Sequence, residues 1–595
     1  MQQFLSLLIV LFWPISIQSQ ISSKYTISFE NAIHHEATIT AAFSNLKSEE
    51  PTFTMARSSP GRYALHEFAK NVYNVKVTDS KGNELIASRP DPYSWKVKGH
   101  DGTIIVRYTL FGNHGDGTYT QVDETHAHLN APATFIYVPE LANQEIEVTF
   151  NVREDLNWKI ATQLKYQENY TYYAKDLQYF MDSPIEIANF RIRSFKVKQQ
   201  IINFVLHDDA ASEENLDAYF EKVKNIVLTE AMIYGELPSY DYGEYTFLAC
   251  YMPNATGDGM EHRNSTSIPS EVSLSKGDID ENLGTVAHEF FHCWNVERIR
   301  PKSLEPFDFQ KANMSGELWF AEGFTNYYDA LTQCRTGIWS QEKYFHDMTG
   351  GFNYVWSSPA LRFFNPIEMS FQAPFVDAAK SVDETNRENT YISYYSYGEM
   401  LGLALDLSLR EKGLNLDDFM KVMWNNFGKV QKYYTVEDLH QTLNDFAGNE
   451  FGDHYFNNYI YKNGMPDYER LLKQVGVVLA TKNDINFGAT VRNRIIISNP
   501  KIGSAAYEAG FQKDDKIINI DSINYDGGAS INSILNTFKK GDSVNITFER
   551  FGNPMEKMLK IQTETSYDLE LMESTSKELT KVMKEKRANW LQSKL

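Results

Sequence analysis

Hydrophobic and polar positions alternate along the first part of the chain, from residue 20 to residue 173. Tyr25, Ile27 and Phe29 are separated by polar residues, and the run from Ile104 to Phe111 is a second candidate strand bounded by glycines. Turn signals such as Ser59-Pro60-Gly61 recur between these runs. Because no long helical period interrupts them, the stretch predicts an N-terminal β-sandwich-like domain.

The middle of the chain, residues 174–474, shows mainly a helical period. It begins with candidate paired strands from Phe190 to Leu206, after which apolar residues recur at intervals of three and four. One such series is Leu216, Tyr219, Phe220, Val223, Ile226 and Val227, and a second is Leu283, Val286, Ala287, Phe290, Phe291 and Trp294. This period predicts a mainly helical domain with a few strands near its start.

Short strands return near Val475 and continue to residue 565. The runs from Arg494 to Ser498 and from Ser543 to Phe548 are the clearest of them, and they predict a small separate β domain. Residues 566–595 are charged and helix-prone, so they predict a helical tail that is either packed or frayed. The whole chain is thus predicted to be a multidomain α+β protein.

Composition and charge narrow the class of protein. The 595 residues are 42% hydrophobic and 14% aromatic, which is typical of folded globular chains. A net charge of −21 argues against binding to nucleic acid or to an anionic membrane surface. Three cysteines are too few for a disulfide framework, although one bridge could form.

Residues 1–19 are typical of a secretory signal peptide. Phe4 to Ile17 is an apolar run of the length of a signal core and too short to span a membrane as a helix. Ser19 offers a small residue before a cut at Gln20. No lysine or arginine precedes the run, so a buried strand or a signal anchor stays open as an alternative. The stretch predicts an exported protein, periplasmic or secreted, whose mature chain has no membrane span.

The main candidate for chemistry is the sequence His288-Glu289-Phe290-Phe291-His292 in the second helical series. Helical residues four apart lie on one face, so the two histidines can bind one metal ion, and Glu289 can activate a water beside it. Glu322, on the next predicted helix, supplies a carboxylate. Two histidines and one glutamate leave a fourth position open, as in a catalytic site with one Zn²⁺ per chain. The alternative is a buried helix with two satisfied histidines and a stray acid.

Asp329 follows Glu322 by seven residues and is predicted to lie on the same helix face. From there it can orient a ligand histidine from behind. A solvated surface acid is the alternative.

The segments around these residues resemble the glycyl aminopeptidases, exported bacterial and archaeal zinc peptidases of the gluzincin type with a PDZ domain near the C-terminus. Residues 288–301 are similar to their zinc helix, and residues 318–328 to their third-ligand segment. Gly259-Met260-Glu261-His262 resembles the exopeptidase motif of the distantly similar aminopeptidase N and leukotriene hydrolases. Ser59 to Tyr63 is similar to the N-terminal domain of the glycyl aminopeptidases, and Gly503 to Asp526 is similar to bacterial PDZ repeats. The resemblance therefore covers most of the chain.

The resemblance implies a thermolysin-like catalytic domain and further site residues. The family places a catalytic tyrosine three residues before a glycine, which selects Tyr395 as the oxyanion stabiliser. Tyr394 is the second candidate and is otherwise expected to bind substrate. Glu261, beside Gly259 and Met260 in the substrate-binding loop, would anchor the α-amino group of a peptide by a charge-assisted hydrogen bond.

These residues predict a zinc aminopeptidase that removes N-terminal residues from peptides, and the resemblance suggests glycine or alanine as those residues. Two alternatives stay open. The first is a zinc endopeptidase in which Glu261 only lines the cleft. The second is a peptide-binding protein that acts through its PDZ-like domain and has a vestigial metal site, although the intact Glu289 argues against it.

The predicted partners are peptide substrates and a candidate peptide or protein ligand of the PDZ-like domain. A peptide could add a strand to the edge of the PDZ-like sheet. Phe487-Gly488-Ala489 is the candidate loop for binding its carboxylate. A regulatory or scaffolding role without a peptide is the alternative.

Overall fold

The N-terminal region is built from three β-sheets. The computed structural model describes residues 21–276, 280–377, 383–593 and 595, so the predicted signal peptide at residues 1–19 lies outside the described residues. The largest sheet has seven strands, in spatial order Lys165–Tyr166, Thr171–Ala174, Ile146–Asn151, Ser23–Asn31, Glu36–Phe43, Ile104–Phe111 and Val72–Thr78. Tyr25, Ile27 and Phe29 are buried on one face of this sheet while their polar neighbours are more exposed, as the alternation predicts.

Two smaller sheets complete the region. One has the strands Lys159–Thr162, Ile185–Ala188, His126–Leu129 and Gln121–Val122, and the other has Thr52–Thr54, Ser94–Val97 and Ala87–Asp91. Because Ile185–Ala188 pairs between two strands of the first of these sheets, the N-terminal β region continues to Ala188. The predicted boundary at residues 173–174 is therefore too early. The short helix Leu177–Met181 interrupts the alternating pattern just before this last strand.

The catalytic region begins with a five-stranded sheet. Its strands are, in spatial order, Arg191–Val197, Gln200–His207, Glu244–Tyr251, Ser265–Ser270 and Met260–His262. The three central strands run parallel, and each outer strand is antiparallel to its neighbour. The strand Met260–His262 forms one edge of the sheet and packs beside the helix Leu283–Phe291, which brings Glu261 close to the two histidines.

Helices form the rest of the catalytic region. They are Glu213–Tyr234, Leu283–Phe291, Leu318–Ala321, Gly323–Arg335, Gln341–Trp356, Pro366–Ser370, Ala373–Val376, Arg387–Thr390, Tyr394–Glu411, Leu416–Met423, Val436–Ala447, Asn449–Tyr455 and Tyr468–Lys473. We call Leu283–Phe291 the metal helix, Gly323–Arg335 the third-ligand helix and Tyr394–Glu411 the tyrosine helix. Among the described residues, no helix combines the length and the apolar character needed to cross a membrane.

Two glycines allow the third-ligand helix and the tyrosine helix to cross in direct contact. A Cβ added to Gly323 would lie 2.6 Å from the carbonyl carbon of Gly398, closer than packed atoms approach. The crossing places the first turn of the tyrosine helix, with Tyr394 and Tyr395, beside Glu322.

The C-terminal β domain follows at about residue 477. The long strands Val477–Ile485 and Thr563–Leu571 pair with each other, and the second occupies the start of the predicted tail. Between them lies a sheet with the strands Val491–Arg492, Ile495–Ile496, Lys516–Ile520, Ser543–Arg550 and Asn553–Lys560, and Ile523–Asn524 pairs with Lys516–Ile520. The helices of this domain are Ala505–Ala509 and Ile531–Leu535. The predicted multidomain α+β organisation is confirmed.

The tail ends in the helix Lys581–Leu591, which is packed against the catalytic region. Trp590 is fully buried, and its indole N–H donates to the Tyr327 hydroxyl at 2.9 Å. Arg335 Nε donates to the carbonyl of Trp590 at 3.1 Å. Both partners belong to the third-ligand helix, so the tail stabilises the element that follows Glu322.

Candidate active site

The structure brings the three predicted metal ligands together. The metal helix carries His288 and ends at Phe291, so His292 lies at its C-terminal end, one turn further on. Glu322 immediately precedes the third-ligand helix. Its Oε2 lies 3.6 Å from Nε2 of His288 and 3.3 Å from Nε2 of His292. One ligand atom from each side chain lies within 4.8 Å of the others, as a shared metal ion requires.

Each ligand is held by a hydrogen bond on the atom that faces away from the common centre. His288 Nδ1 donates to Asp329 Oδ2 at 3.0 Å, His292 Nδ1 donates to the carbonyl of Asn295 at 2.7 Å, and the Tyr63 hydroxyl donates to Glu322 Oε1 at 2.6 Å. The opposite atom of each side chain therefore points to the centre. Such outer partners fix ligand orientation in metal sites, and two imidazoles with one carboxylate are a donor set that suits Zn²⁺.

Charges within this cluster shift the pKa of each group. Burial alone would lower the pKa of His292, but the charge of Glu322 raises it to about 9. The pKa of His288 is also raised, through Asp329 and Glu322, against the effect of burial. Burial opposes ionisation of Glu322, yet the two histidines lower the pKa of its carboxyl well below the usual range. The centre thus attracts positive charge, and a bound cation would displace the protons held there.

A cavity of about 540 Å³ opens beside the metal ligands, a volume typical of small-ligand sites. Its lining includes the predicted site residues Gly259, His288, Glu289, Asp329 and Tyr395. The ring of Tyr395 lies 5.9 Å from that of His288, between ring centres. Burial and the charge of Glu322 raise the pKa of the Tyr395 phenol, so it keeps its proton and can donate a hydrogen bond into the cavity.

Glu289 lies between the metal ligands and the backbone of Gly259. Its Oε2 is buried without a hydrogen-bond partner among the described residues, and burial raises the pKa of the carboxyl to about 7 against the charges of His288 and His292. A Cβ added to Gly259 would lie 2.6 Å from Cδ of Glu289. Glycine is therefore required here if Glu289 is to keep this position.

Glu261 contributes a second carboxylate beside the metal centre. It is 6% exposed, and one of its oxygens lies within 4.8 Å of ligand atoms of Glu289 and His292. In the described part of the chain no lysine or arginine forms an ion pair with it. The negative charge of Glu261 is thus available to a cationic group that enters beside the metal.

Met260 and Tyr394 do not line the cavity, although they are predicted to bind substrate. Both side chains are 1% exposed. Met260 packs against the backbone of Gly61 and Gly117. The rings of Tyr394 and Tyr395 lie 4.9 Å apart, between centres. Of the two tyrosine candidates, only Tyr395 reaches the cavity.

Three further residues shape the site, and no local sequence pattern predicts them. Tyr63 bonds Glu322 across 259 positions of sequence, and Arg62 lines the cavity, forms an ion pair with Asp258 and donates from Nε to Thr118 Oγ1 at 2.6 Å. Asn295 donates from Nδ2 to the carbonyls of Phe320 and Ala321 at 3.1 and 3.2 Å, which connects the end of the metal helix to the segment before Glu322. The resemblance of Ser59–Tyr63 to a family segment was the only signal for the first two.

The candidate carboxylate-binding loop of the PDZ-like domain is occupied by internal hydrogen bonds. The amide of Phe487 donates to Asn532 Oδ1 and the amide of Gly488 to Asn486 Oδ1, each at 2.9 Å. Phe487 itself is fully buried. A peptide carboxylate would have to replace both amide bonds, so the loop as it stands is not prepared for a ligand.

Comparisons with known families agree with this geometry. Residues 24–189 match the family model "Peptidase M61 N-terminal domain", residues 281–401 match "M61 glycyl aminopeptidase", and residues 475–563 match "PDZ domain". The three matches occur in the order that the sequence resemblance predicts, and the resemblance is confirmed. The second match includes the metal helix and the third-ligand helix, and the family implies zinc as the metal. A search of curated proteins gives no match.

A solved structure at low sequence identity shares this fold. An aminopeptidase N family protein from Idiomarina loihiensis superposes with a TM-score of 0.83 at 23% sequence identity, over 96% of this chain and 100% of that one. An M1 zinc metallopeptidase from Deinococcus radiodurans gives a TM-score of 0.43 at 12% identity, over 73% of this chain and 93% of that one. At these identities the first likeness concerns the fold alone, and the second is too remote for an argument.

Proposed function

We propose that this chain is a zinc aminopeptidase that acts on peptides. It is a metallo-aminopeptidase hydrolase and has the domains of the M61 glycyl aminopeptidase family. It binds one Zn²⁺ at His288, His292 and Glu322 and removes single N-terminal residues from peptides. Its preference for a small N-terminal residue, glycine or alanine, is proposed from the resemblance to the glycyl aminopeptidases.

The position of Glu261 carries the proposal of N-terminal cleavage. A free α-amino group is a cation, and the buried Glu261 carboxylate lies beside both Glu289 and a metal ligand. A charge-assisted hydrogen bond to Glu261 would place the first residue of a peptide against the metal, with its carbonyl next to the attacking water. A peptide with more than one residue before the scissile bond would carry its α-amino group past Glu261 and leave that charge unpaired.

The residues of the chain then divide the chemistry between them. Zinc, when bound, supplies a Lewis acid that polarises the scissile carbonyl and lowers the pKa of the attacking water. Glu289 accepts the proton of that water and passes it to the departing amine. The Tyr395 phenol, kept protonated by burial, donates a hydrogen bond to the carbonyl oxygen as negative charge develops there. Asp329 holds His288 in the orientation that binding requires.

Cleavage of free and N-acetylated peptides tests the proposal. Acetylation removes the positive charge that Glu261 is proposed to bind while leaving the scissile bond unchanged. We expect the zinc-loaded protein to release glycine or alanine from Gly- and Ala-peptides and to leave the N-acetylated forms intact, as measured by chromatography of the products. Equal cleavage of both forms would identify an endopeptidase instead.

Replacing Glu261 by glutamine should reduce this specificity. The substitution keeps the size of the side chain but removes its charge, so kcat/KM for free peptides should fall by roughly 10- to 100-fold, the worth of one hydrogen bond to a charged group. Glu271 lines the same cavity but is exposed, and Glu271→Gln is the matched control with little expected effect. An equal loss in both variants would show a general charge effect rather than an anchor.

Replacing Tyr63 by phenylalanine should weaken metal binding. The change removes the hydrogen bond to Glu322 Oε1 and leaves the ring packed, so we expect zinc affinity to fall by roughly 10- to 100-fold, as for other outer partners of ligands. Competition with a chelator measures this affinity. Tyr108→Phe is the control, because that buried hydroxyl bonds the carbonyl of Thr134 and no metal ligand. Unchanged affinity in Tyr63→Phe would exclude a supporting role for Tyr63.

We also propose that the protein is exported to the periplasm or secreted, on the strength of the apolar run from Phe4 to Ile17. N-terminal sequencing of protein from cell fractions tests this, and full-length chain confined to the cytoplasm would contradict it.

A peptide ligand of the PDZ domain is proposed from the family match. Titration with peptides that carry a free C-terminal carboxylate tests it.

A further inference from the structure

A second group of metal-binding residue types lies at the contact between the N-terminal β region and the catalytic sheet. It consists of His126, Glu186, His207 and Cys250, which we call the interdomain cluster. All four side chains are buried, with exposures between 0% and 3%. One ligand atom from each lies within 4.8 Å of the other three. The cluster shares no residue with the candidate active site.

The strands place these residues in fixed register. His126 and Glu186 belong to neighbouring antiparallel strands of the four-stranded sheet. His207 and Cys250 are register partners on the two parallel strands Gln200–His207 and Glu244–Tyr251 of the catalytic sheet. Two ligands therefore come from each region, and neither region alone supplies more than two.

Two distances within the cluster match those of a tetrahedral site, and the other ligand atoms lie within 4.8 Å of one another. His207 Nδ1 lies 3.5 Å from Glu186 Oε1 and 3.7 Å from Cys250 Sγ. Ligand atoms around a tetrahedral Zn²⁺ are separated by roughly 3.3–3.8 Å, given the usual bond lengths to nitrogen, oxygen and sulfur. The rings of His126 and His207 lie 4.9 Å apart, between centres.

Outer hydrogen bonds orient two of these ligands toward the common centre. His126 Nδ1 donates to Asp123 Oδ1 at 3.1 Å, and His128 Nδ1 donates to Glu186 Oε2 at 2.9 Å. The opposite atoms, His126 Nε2 and Glu186 Oε1, are buried. His126 Nε2 has no hydrogen-bond partner among the described residues, and Glu186 Oε1 has only the 3.5 Å ion-pair contact with His207 Nδ1. Buried polar atoms are rarely left in this state, and a carboxylate–histidine pair behind a ligand is a recurrent feature of metal sites.

We propose that His126, Glu186, His207 and Cys250 bind a second divalent ion of the Zn²⁺ class, which joins the N-terminal region to the catalytic region. Four protein ligands close the coordination sphere, so the site is structural and has no open position for a substrate. The metal-free alternative is a buried ion pair between His207 and Glu186 that leaves His126 Nε2 without a partner among the described residues.

Metal content and cobalt spectroscopy of the full chain test this site. All three cysteines are free and buried, and only Cys250 belongs to a candidate metal group among the described residues. We expect two zinc ions per chain after reconstitution and dialysis. In the Co²⁺-loaded protein we expect a thiolate-to-cobalt charge-transfer band in the near ultraviolet, which the active-site ligands, lacking sulfur, cannot produce.

Variants then assign each ion to its site. Cys250→Ser and His126→Gln should each lose one zinc ion, and Cys250→Ser should lose the band, while kcat of the remaining folded protein stays within about twofold. Cys334→Ser, the matched control outside the cluster, should keep both the zinc and the band. Glu322→Gln should lose the active-site ion and keep the band. A failure of the aminopeptidase proposal can thus be distinguished from a failure of the second metal site.

Measurements on the wild-type protein alone can overturn the proposal, whether or not a variant folds. Cobalt-loaded wild-type protein without a charge-transfer band, together with one zinc ion per chain, would show that the cluster holds only protons or water. A band that persists in folded Cys250→Ser would assign the thiolate to another cysteine and would equally reject the site.

Discussion

Glu289→Gln is expected to lower kcat by roughly 10²–10⁴-fold while zinc at the active site stays bound. Glutamine keeps the shape of the side chain but cannot accept a proton from the attacking water. The metal ligands should keep their orientation, because Glu289 takes part in none of the hydrogen bonds that orient His288, His292 and Glu322. Initial rates on Gly- and Ala-peptides, with metal analysis of the same samples, measure both effects.

Glu281→Gln is the matched control for this substitution. Glu281 lines the same cavity but is exposed and lies outside the metal centre, so its loss should leave kcat within about twofold. If Glu289→Gln retains wild-type turnover with full metal content, another group accepts the proton, and the role proposed for Glu289 is wrong.

Gly259→Ala is the second substitution with a large expected effect, although it adds only one methyl group. That methyl would occupy space now filled by the carboxylate of Glu289, so the general base must move. A misplacement of about 1 Å can reduce catalysis by roughly 10²-fold, and we expect a loss of this size in kcat. Thermal unfolding should change little, because the displaced atoms are the end of one side chain.

Gly257→Ala provides the control from the same loop. A Cβ at Gly257 meets nothing within 4 Å, so this variant should keep wild-type activity. Equal losses in both variants would point to loop conformation rather than to contact with Glu289. Normal activity in Gly259→Ala would mean that Glu289 works from a different position.

The metal ligands could be predicted from sequence because local geometry determines them. The helical repeat alone places His288 and His292 on one face, and Glu322 immediately precedes the helix that packs against them. Asp329 follows from the same periodicity, and the structure places it 3.0 Å from His288. The predicted roles of these residues in catalysis remain predictions for the experiments above.

The contacts that cross between domains could not be predicted in this way. Tyr63 reaches Glu322 because a loop of the N-terminal region packs against the catalytic region, and no local pattern encodes that contact. The interdomain cluster is equally hidden, since its four residues are spread over 125 positions, from His126 to Cys250, with no metal-ligand spacing. For Met260 the motif position predicts substrate binding, and the structure places its side chain against Gly61 and Gly117, so this role stays a prediction.

Packing of Trp590 against Tyr327 has a consequence for the order of events during synthesis. Ribosomes deliver residues 288–335 long before residue 590, yet the third-ligand helix lacks part of its buried surface until the last helix arrives. A nascent chain therefore carries His288, His292 and Glu322 before the two hydrogen bonds from the helix Lys581–Leu591 can form. A chain that lacks the helix Lys581–Leu591 is therefore expected to bind zinc less tightly, although all of its candidate site residues are present.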